Sequence, residues 1–196
     1  MTKELREKIK KDILESSLVI KNIVKNSDEI EKSINVITTC LKKGKKIILF
    51  GNGGSAADAQ HIAAEFIGRF KLERESLPAI SLTTDTSVLT SLANDYSYDV
   101  VFSRQCESLV SKNDVVVGIS TSGNSINVNK GLQIARKKGA KTISLLGNNG
   151  GIIKKNSDIA IVINHLSTPR IQEGHRVISH IICENVEKNL QRRKKK

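Results

Sequence analysis

Three groups of residues in this chain have types and spacings that can do chemistry. His61 and Glu65 stand four apart in an alanine-rich stretch, so in a helix both side chains lie on one face. An imidazole beside a carboxylate can move protons or hold a divalent ion. On an ordinary amphipathic helix the same pair is only a surface contact worth a few tenths of a kcal/mol. The second group is Ser120, Thr121, Ser122 and Ser125, four hydroxyls within six residues ahead of a helical stretch. Hydroxyls and free N–H groups at a helix N-terminus suit a phosphate monoester held without metal or nucleotide. Capping alone needs one of them, and four are redundant.

The third group lies on the last helical stretch, about 169–190, which carries Gln172, Glu173, His175 and His180. Gln172 and His180 are eight apart, about 80° around a helix axis, whereas Glu173 and His180, seven apart, align better. Spacing alone does not choose between Gln172 and Glu173 as the inward residue. Glutamine is also an uncommon zinc ligand, so these positions by themselves make a weak metal site.

The elements that must position these groups can be read from the pattern. Ile47–Phe50, closing on Gly51, is a buried strand. The turn Gly51-Asn52-Gly53-Gly54-Ser55 follows and opens a helix one turn ahead of His61. Such a joint aims N–H groups and a positive helix end at whatever sits above the strand. It is not a dinucleotide fingerprint, because Ala56 replaces the third glycine and Glu73 and Glu75 fall in a polar connector. Nor is it a P-loop, since no Gly-Lys-Ser/Thr follows.

Before that strand, apolar residues recur at helical spacing over 3–25 and again over 28–43, ended by Lys43-Gly44-Lys45. Two long amphipathic helices ahead of the first strand need partners for their apolar faces, and a second copy of the chain is an economical one. After the helix of 55–70 come a polar connector (71–77), a strand at 79–83, a short helix capped from 84–87 and running to about Ala93, a loop at 94–98 and a helix over 99–111. A strand at 114–119 delivers the hydroxyl loop, a helix of about 125–138 ends at Gly139, and strands follow at 142–146 and 159–163 with a glycine-rich loop at 147–151 between them. β-Branched runs alternating with helices predict an α/β fold with a parallel sheet covered on both faces. In such a sheet ligands bind beyond the carboxyl ends of the strands, so the loops 51–55 and 120–125 should converge.

Composition bounds the function classes. The 196 residues, 38% hydrophobic and 27% charged, fit one globular domain with a full core. No apolar run approaches membrane-spanning length. The charged, helical start MTKELREKIKKDILESS is not a signal peptide, so a cytoplasmic location is expected. Cys40, Cys106 and Cys183 are scattered and odd in number, which predicts buried thiols in a reducing compartment. The net charge is +12, but the last five residues, RRKKK, are all basic and leave +7 on residues 1–191. A short basic end reads as a solvated terminus. With no Trp, two Tyr and four Phe, and no helix-turn-helix or zinc-finger spacing, no nucleic-acid partner is expected.

Four stretches, GNGGSAADAQHIAAEF, SLANDYSYDVVFSRQ, GISTSGNS and PRIQEGHRVISHIICE, together resemble the bacterial phosphoheptose isomerases of the sugar isomerase (SIS) superfamily. The likeness runs nearly the whole chain, to about Glu187. It implies a three-layer, flavodoxin-like fold: a five-stranded parallel sheet in residues 46–191, two extra helices in residues 1–45 that pack on it and in an oligomer interface, and a basic tail at 192–196 outside the family pattern. It implies a homotetramer with active sites between subunits and one zinc ion per subunit. The implied reaction converts sedoheptulose 7-phosphate to D-glycero-D-manno-heptose 7-phosphate through an enediol, in the supply of heptose for lipopolysaccharide core, capsule or another glycan.

Position by position, the resemblance assigns the 7-phosphate to Ser120, Thr121, Ser122 and Ser125. Asn52, Gly53, Gly54 and Ser55, with Asn94 and Asp95, would line the sugar. His61, Glu65, Gln172 and His180 match the metal ligands, which favours Gln172 over Glu173, and Glu65 and Gln172 also face substrate. Glu65 and His180 match the proposed base and acid. Other members of the superfamily are non-enzymatic adaptors that bind the replication initiator, or sugar-phosphate sensors within transcription regulators. The adaptors lack residues matching Glu65 and His180, which this chain has, and no DNA-binding domain is visible. Isomerisation of a different sugar phosphate is the further alternative.

Overall fold

The computed structural model describes residues 3–191; the basic tail at 192–196 lies outside the described residues. Five parallel strands form one sheet: β1 (Ile47–Gly51), β2 (Ala79–Ser81), β3 (Val115–Ser120), β4 (Lys141–Gly147) and β5 (Ile159–Ile163), in the order β2-β1-β3-β4-β5. The helices are α1 (Lys3–Asn22), α2 (Ser27–Lys42), α3 (Gly54–Ile67), α4 (Thr86–Asp95), α5 (Val101–Leu109), α6 (Ile126–Lys137), α7 (Gly151–Asn156) and α8 (Thr168–Gln191). Short 3-10 turns, Ile23–Asn26 and Tyr98–Val100, join α1 to α2 and lead into α5.

Alternation along the strands builds two cores. In β1, Ile47 and Leu49 point to one face and Ile48 and Phe50 to the other, all fully buried. The first face meets Val19, Ile23, Ile30, Ile34, Ile37 and Leu41 of the N-terminal segment, Ala59, Ile62 and Phe66 of α3, and Ile178, Ile182 and Val186 of α8. The opposite face packs on Val101, Phe102 and Cys106 of α5 and Val128 and Leu132 of α6, with Phe50 and Phe102 stacked at 4.8 Å. Both faces are covered, so nearly every residue of the central strands β1, β3 and β4 is buried, which is why those strands read as continuous apolar runs.

Four expectations about elements are corrected. β2 spans three residues, not five: Leu82 N still donates to the Leu49 carbonyl, but the Thr83 carbonyl accepts from the Gln60 side chain of α3 instead of from a strand. The stretch 99–111 is divided, its first residues forming the 3-10 turn and the helix ending at Leu109. The loop after β4 leads into α7, whose six residues are too few to show a periodic pattern. α3 also starts at Gly54, which places His61 two turns into it rather than one.

The strand order reverses direction between β1 and β3, which are paired along their whole length. Loops leaving adjacent carboxyl ends at such a switch point share one crevice. These are the loops 51–55 and 120–125.

Candidate active site

The loop after β1 is shaped by its glycines. A Cβ on Gly51 would overlap Ser55 and the Ile119 carbonyl, and Gly53 takes a positive φ of 55° at the N-cap of α3. Ser55 is buried in the first turn of the helix. Asn52 points across to α6, where its amide and that of Asn127 bond each other reciprocally, at 2.9 and 3.0 Å. Tyr98 Oη donates to Asn52 Oδ1 at 3.2 Å. Side chains thus join the first loop to the first turn of α6, which follows directly on the second loop. Asn94 and Asp95, at the end of α4, bond each other at 2.9 Å and stand exposed just ahead of Tyr98.

In the second loop the hydroxyls form their own cluster. Ser120 Oγ lies 2.9 Å from Ser125 Oγ and 3.4 Å from Ser122 Oγ, and accepts from Gly123 N. Ser125 is the N-cap of α6, yet its hydroxyl makes no cap bond. Ordinary capping therefore does not account for the run. The loop is buttressed from behind: Asn148 Nδ2 donates to the Thr121 carbonyl, Ile153 N to the Gly123 carbonyl, and Ile152 N to Asn124 Oδ1. A Cβ on Gly123 would overlap the backbone at Gly150 and Gly151. The cluster stands at the positive end of a twelve-residue helix, the setting for an anion.

The His and Glu residues are brought together by α3 and α8, which run side by side in one register. A Cβ on Gly54 would overlap the Gln172 amide. Arg176 Nη2 bonds Asp58 Oδ1 at 2.7 Å, His61 Nε2 lies 3.0 Å from His180 Nε2, and Glu187 accepts from the backbone N–H groups of Phe70, Lys71 and Leu72. Each rung joins residues 115 to 119 apart, so α8 is matched in step by α3 and the segment that follows it. Glu65 Oε1 is 3.5 Å from His61 Nε2, and the Phe70 ring lies 5.5 Å from that of His180. The choice between Gln172 and Glu173 resolves physically. Gln172 lies against Gly54 on the α3 side, whereas Glu173 pairs with Arg170 at 3.0 Å.

Three of the four donors fit zinc, two imidazole nitrogens and a carboxylate, and the fourth, a side-chain amide oxygen, is an uncommon ligand for it. Two ligands on a tetrahedral ion with bonds of about 2.0–2.1 Å stand about 3.3 Å apart, and the 3.0 and 3.5 Å separations around His61 Nε2 bracket that value. Among the described residues, however, no three His, Cys, Asp or Glu side chains converge on one point. The imidazole pair is in place, and Glu65 lies beside one of its members.

Burial controls the groups beneath the site. Cys183 is pushed up to about 12 by burial first and by the charge of Glu65 second; Cys106 rises to about 12 and Cys40 to about 11 for the same leading reason. All three are buried, free thiols, as expected. His175, fully buried, donates Nε2–H to the Leu146 carbonyl at 3.1 Å and is pushed down to about 4, again chiefly by burial. For Glu187 burial is also the largest influence and acts upward, but the three backbone N–H groups and Arg74 outweigh it and leave its carboxyl below the usual range.

Tyr98, Asn127, Asn148, Arg74 and Glu187 support the site without having stood out in the sequence. Polar residues with no repeat or motif spacing give no signal until the fold supplies their partners.

A doubly wound sheet with a hydroxyl-lined helix N-terminus at its switch point defines a sugar-phosphate binding domain. The model of the SIS domain matches residues 14–147, and the chain belongs to that family. Within it, the chain belongs with the phosphoheptose isomerases. It is 58% identical over 154 residues to the phosphoheptose isomerase of Pelobacter propionicus, covering 79% of this chain and 82% of the relative. It is 49% identical over 187 residues to that of Aliarcobacter butzleri, covering 95% and 99%. The structure of the Neisseria gonorrhoeae phosphoheptose isomerase superposes with a TM-score of 0.89 at 39% identity, over 94% of this chain and 99% of that one. A Francisella tularensis phosphoheptose isomerase gives 0.91 at 29% identity, over 96% and 100%.

Proposed function

We propose that this chain interconverts sedoheptulose 7-phosphate and D-glycero-D-manno-heptose 7-phosphate through an enediol, in the supply of activated heptose for a cell-surface glycan. The observation that carries the reading is the pairing of His61 on α3 with His180 on α8, with Glu65 beside His61, in a chain whose α6 N-terminus presents a cluster of serine hydroxyls. Ser120, Thr121, Ser122 and Ser125 hold the phosphate, with the α6 N-terminus favouring its charge. Asn52, Gly53, Gly54, Ser55, Asn94 and Asp95 line the sugar. Anchoring at C7 supplies binding energy that orients C1 and C2 at the reacting end.

Glu65 removes the C1 proton and returns one to C2, and His180 moves the proton between the O1 and O2 oxygens. His61, Glu65, Gln172 and His180 would hold one zinc ion per subunit. When bound, that ion polarises the carbonyl and stabilises negative charge on oxygen. A carboxylate serves poorly as tight ligand and free base at once, so Glu65 is assigned to the proton and the ion to assistance.

We further place the chain in the cytoplasm as a homotetramer with its sites between subunits. Three free thiols suit a reducing compartment, and among the described residues no helix is long and apolar enough to cross a membrane. α1 leaves Ile13, Leu14 and Leu18 exposed, 60–70% each, a row that a second copy would cover.

Proton NMR of the protein with sedoheptulose 7-phosphate in D2O, with and without added zinc, tests the reaction. Aldose carrying solvent deuterium at C2 is expected. Fructose 6-phosphate, run in parallel, separates the heptose reading from isomerisation of another sugar phosphate. Unchanged ketose signals with zinc present and the oligomer intact would overturn the assignment in favour of an adaptor.

A further inference from the structure

A buried ion pair lies under the connector between α3 and β2. Arg74 and Glu187 leave only 7% and 1% of their side chains exposed, and Arg74 Nε donates to Glu187 Oε1 at 2.9 Å. The rest of the guanidinium is spent on the end of α3 and on the connector's own backbone. Nη2 donates to the Glu65 carbonyl at 2.8 Å, and Nη1 to the carbonyls of Phe66 at 2.9 Å, Gly68 at 3.1 Å and Glu75 at 3.0 Å. Cationic donors on the last carbonyls of a helix complement its negative end.

Glu187 is equally occupied. It accepts from Phe70 N at 3.1 Å, Lys71 N at 2.9 Å and Leu72 N at 2.9 Å, and it lies two turns beyond His180 on the same face of α8. One pair therefore fixes three things: the backbone of Glu65, the loop that lays the Phe70 ring against His180, and the register of α8 beside α3.

We infer that Arg74 and Glu187 are positioning residues that set the placement of Glu65 relative to His180. The inference rests on the isomerase reading above. A planar fork with several donors meets a helix end and a carboxylate together, which a point-charge ammonium does not. Neither residue belongs to the hydroxyl loop or the sugar loop, so loosening the pair should disturb the proton-transfer geometry and spare phosphate binding. A displacement of about 1 Å in a catalytic group is enough for losses near 100-fold.

The test compares steady-state kinetics of the wild type, Arg74→Ala, Arg74→Lys and Glu187→Gln with sedoheptulose 7-phosphate, each normalised to folded protein by circular dichroism. The variants are expected to lose about 10–100-fold in kcat with KM changed by less than about threefold. Arg74→Lys should recover little, and millimolar guanidinium should partly restore kcat in Arg74→Ala alone. Should Arg74→Ala fail to fold, Glu187→Gln, which keeps the volume and the Arg74 caps on α3, carries the same kcat-against-KM comparison. A kcat within twofold of wild type for folded variants would overturn the inference, as would losses confined to KM. An inactive wild type would instead overturn the isomerase reading, so the two failures are distinguishable.

Discussion

Asn52 and Asn127, 75 residues apart in sequence, exchange two amide hydrogen bonds and so join the loop that would face the sugar to the helix that would face the phosphate. Asn127 is almost fully buried, and its Oδ1 also accepts from Val128 N at 2.9 Å. Removing it strands a polar group on each side of the crevice. Asn127→Ala is expected to cost about 1–3 kcal/mol of stability and to raise KM for the sugar phosphate several-fold, since Asn52 loses its orientation. Urea melts and initial rates measured on one preparation check both effects. A normal KM in the destabilised variant would mean that the pair serves folding alone.

Glu65→Gln keeps the size and shape of the side chain and removes its capacity to take a proton. Loss of at least about 100-fold in kcat is expected from the loss of a positioned base, with the circular dichroism spectrum and oligomeric mass unchanged. Solvent-deuterium incorporation is the sharper readout, because a variant that still exchanges the C1 proton at the wild-type rate has another base.

The hydroxyl cluster makes a prediction of the opposite kind. Ser120 and Ser122 are assigned to a group that does not react, so replacing both by Ala should raise KM about tenfold or more and change kcat less. Inorganic phosphate should inhibit the wild type competitively and the double variant weakly. An unchanged KM would move the phosphate to another part of the crevice.

The sheet and most of its helices could be read in advance because both faces are covered. Ile47–Phe50 and Val115–Val117 are apolar without alternation, and the N-terminal helices repeat apolar residues at helical spacing. α7 could not be read, being six residues long, and neither could the early end of β2, beyond which the Thr83 carbonyl takes a side-chain partner 23 residues away. At the site, His61 with Glu65 and the serine run stood out because each is local. The ambiguity between Gln172 and Glu173 needed to know which side of α8 meets α3. The closeness of Gly54 to Gln172 supplies that information, and no spacing within α8 contains it. Arg74 was invisible for a related reason: in sequence it is one charge in a polar connector, and its partner stands 113 residues away.

His175 gives the fold a pH dependence of definite sign. Its Nε2–H is committed to the Leu146 carbonyl, while Nδ1, buried, has no partner among the described residues. Burial holds it down to about 4, against smaller upward influences from that hydrogen bond and from Asp58, whose charge is shared with Arg176. The unfolded chain takes up a proton on this residue near 6.5, the folded chain only near 4. Between those values the unfolded state binds more protons, so stability is fully present above about 6.5 and declines as pH falls toward 4, by on the order of 3 kcal/mol across the window. Glu187, whose carboxyl is held below its usual range, adds its own loss only at the acid end. His175→Asn keeps a donor for Leu146 and removes the titration. Urea midpoints from pH 5 to 7 should therefore slope less steeply in the variant than in the wild type, by up to one proton. Parallel slopes would show that His175 accepts its proton in the folded state as readily as in the unfolded chain.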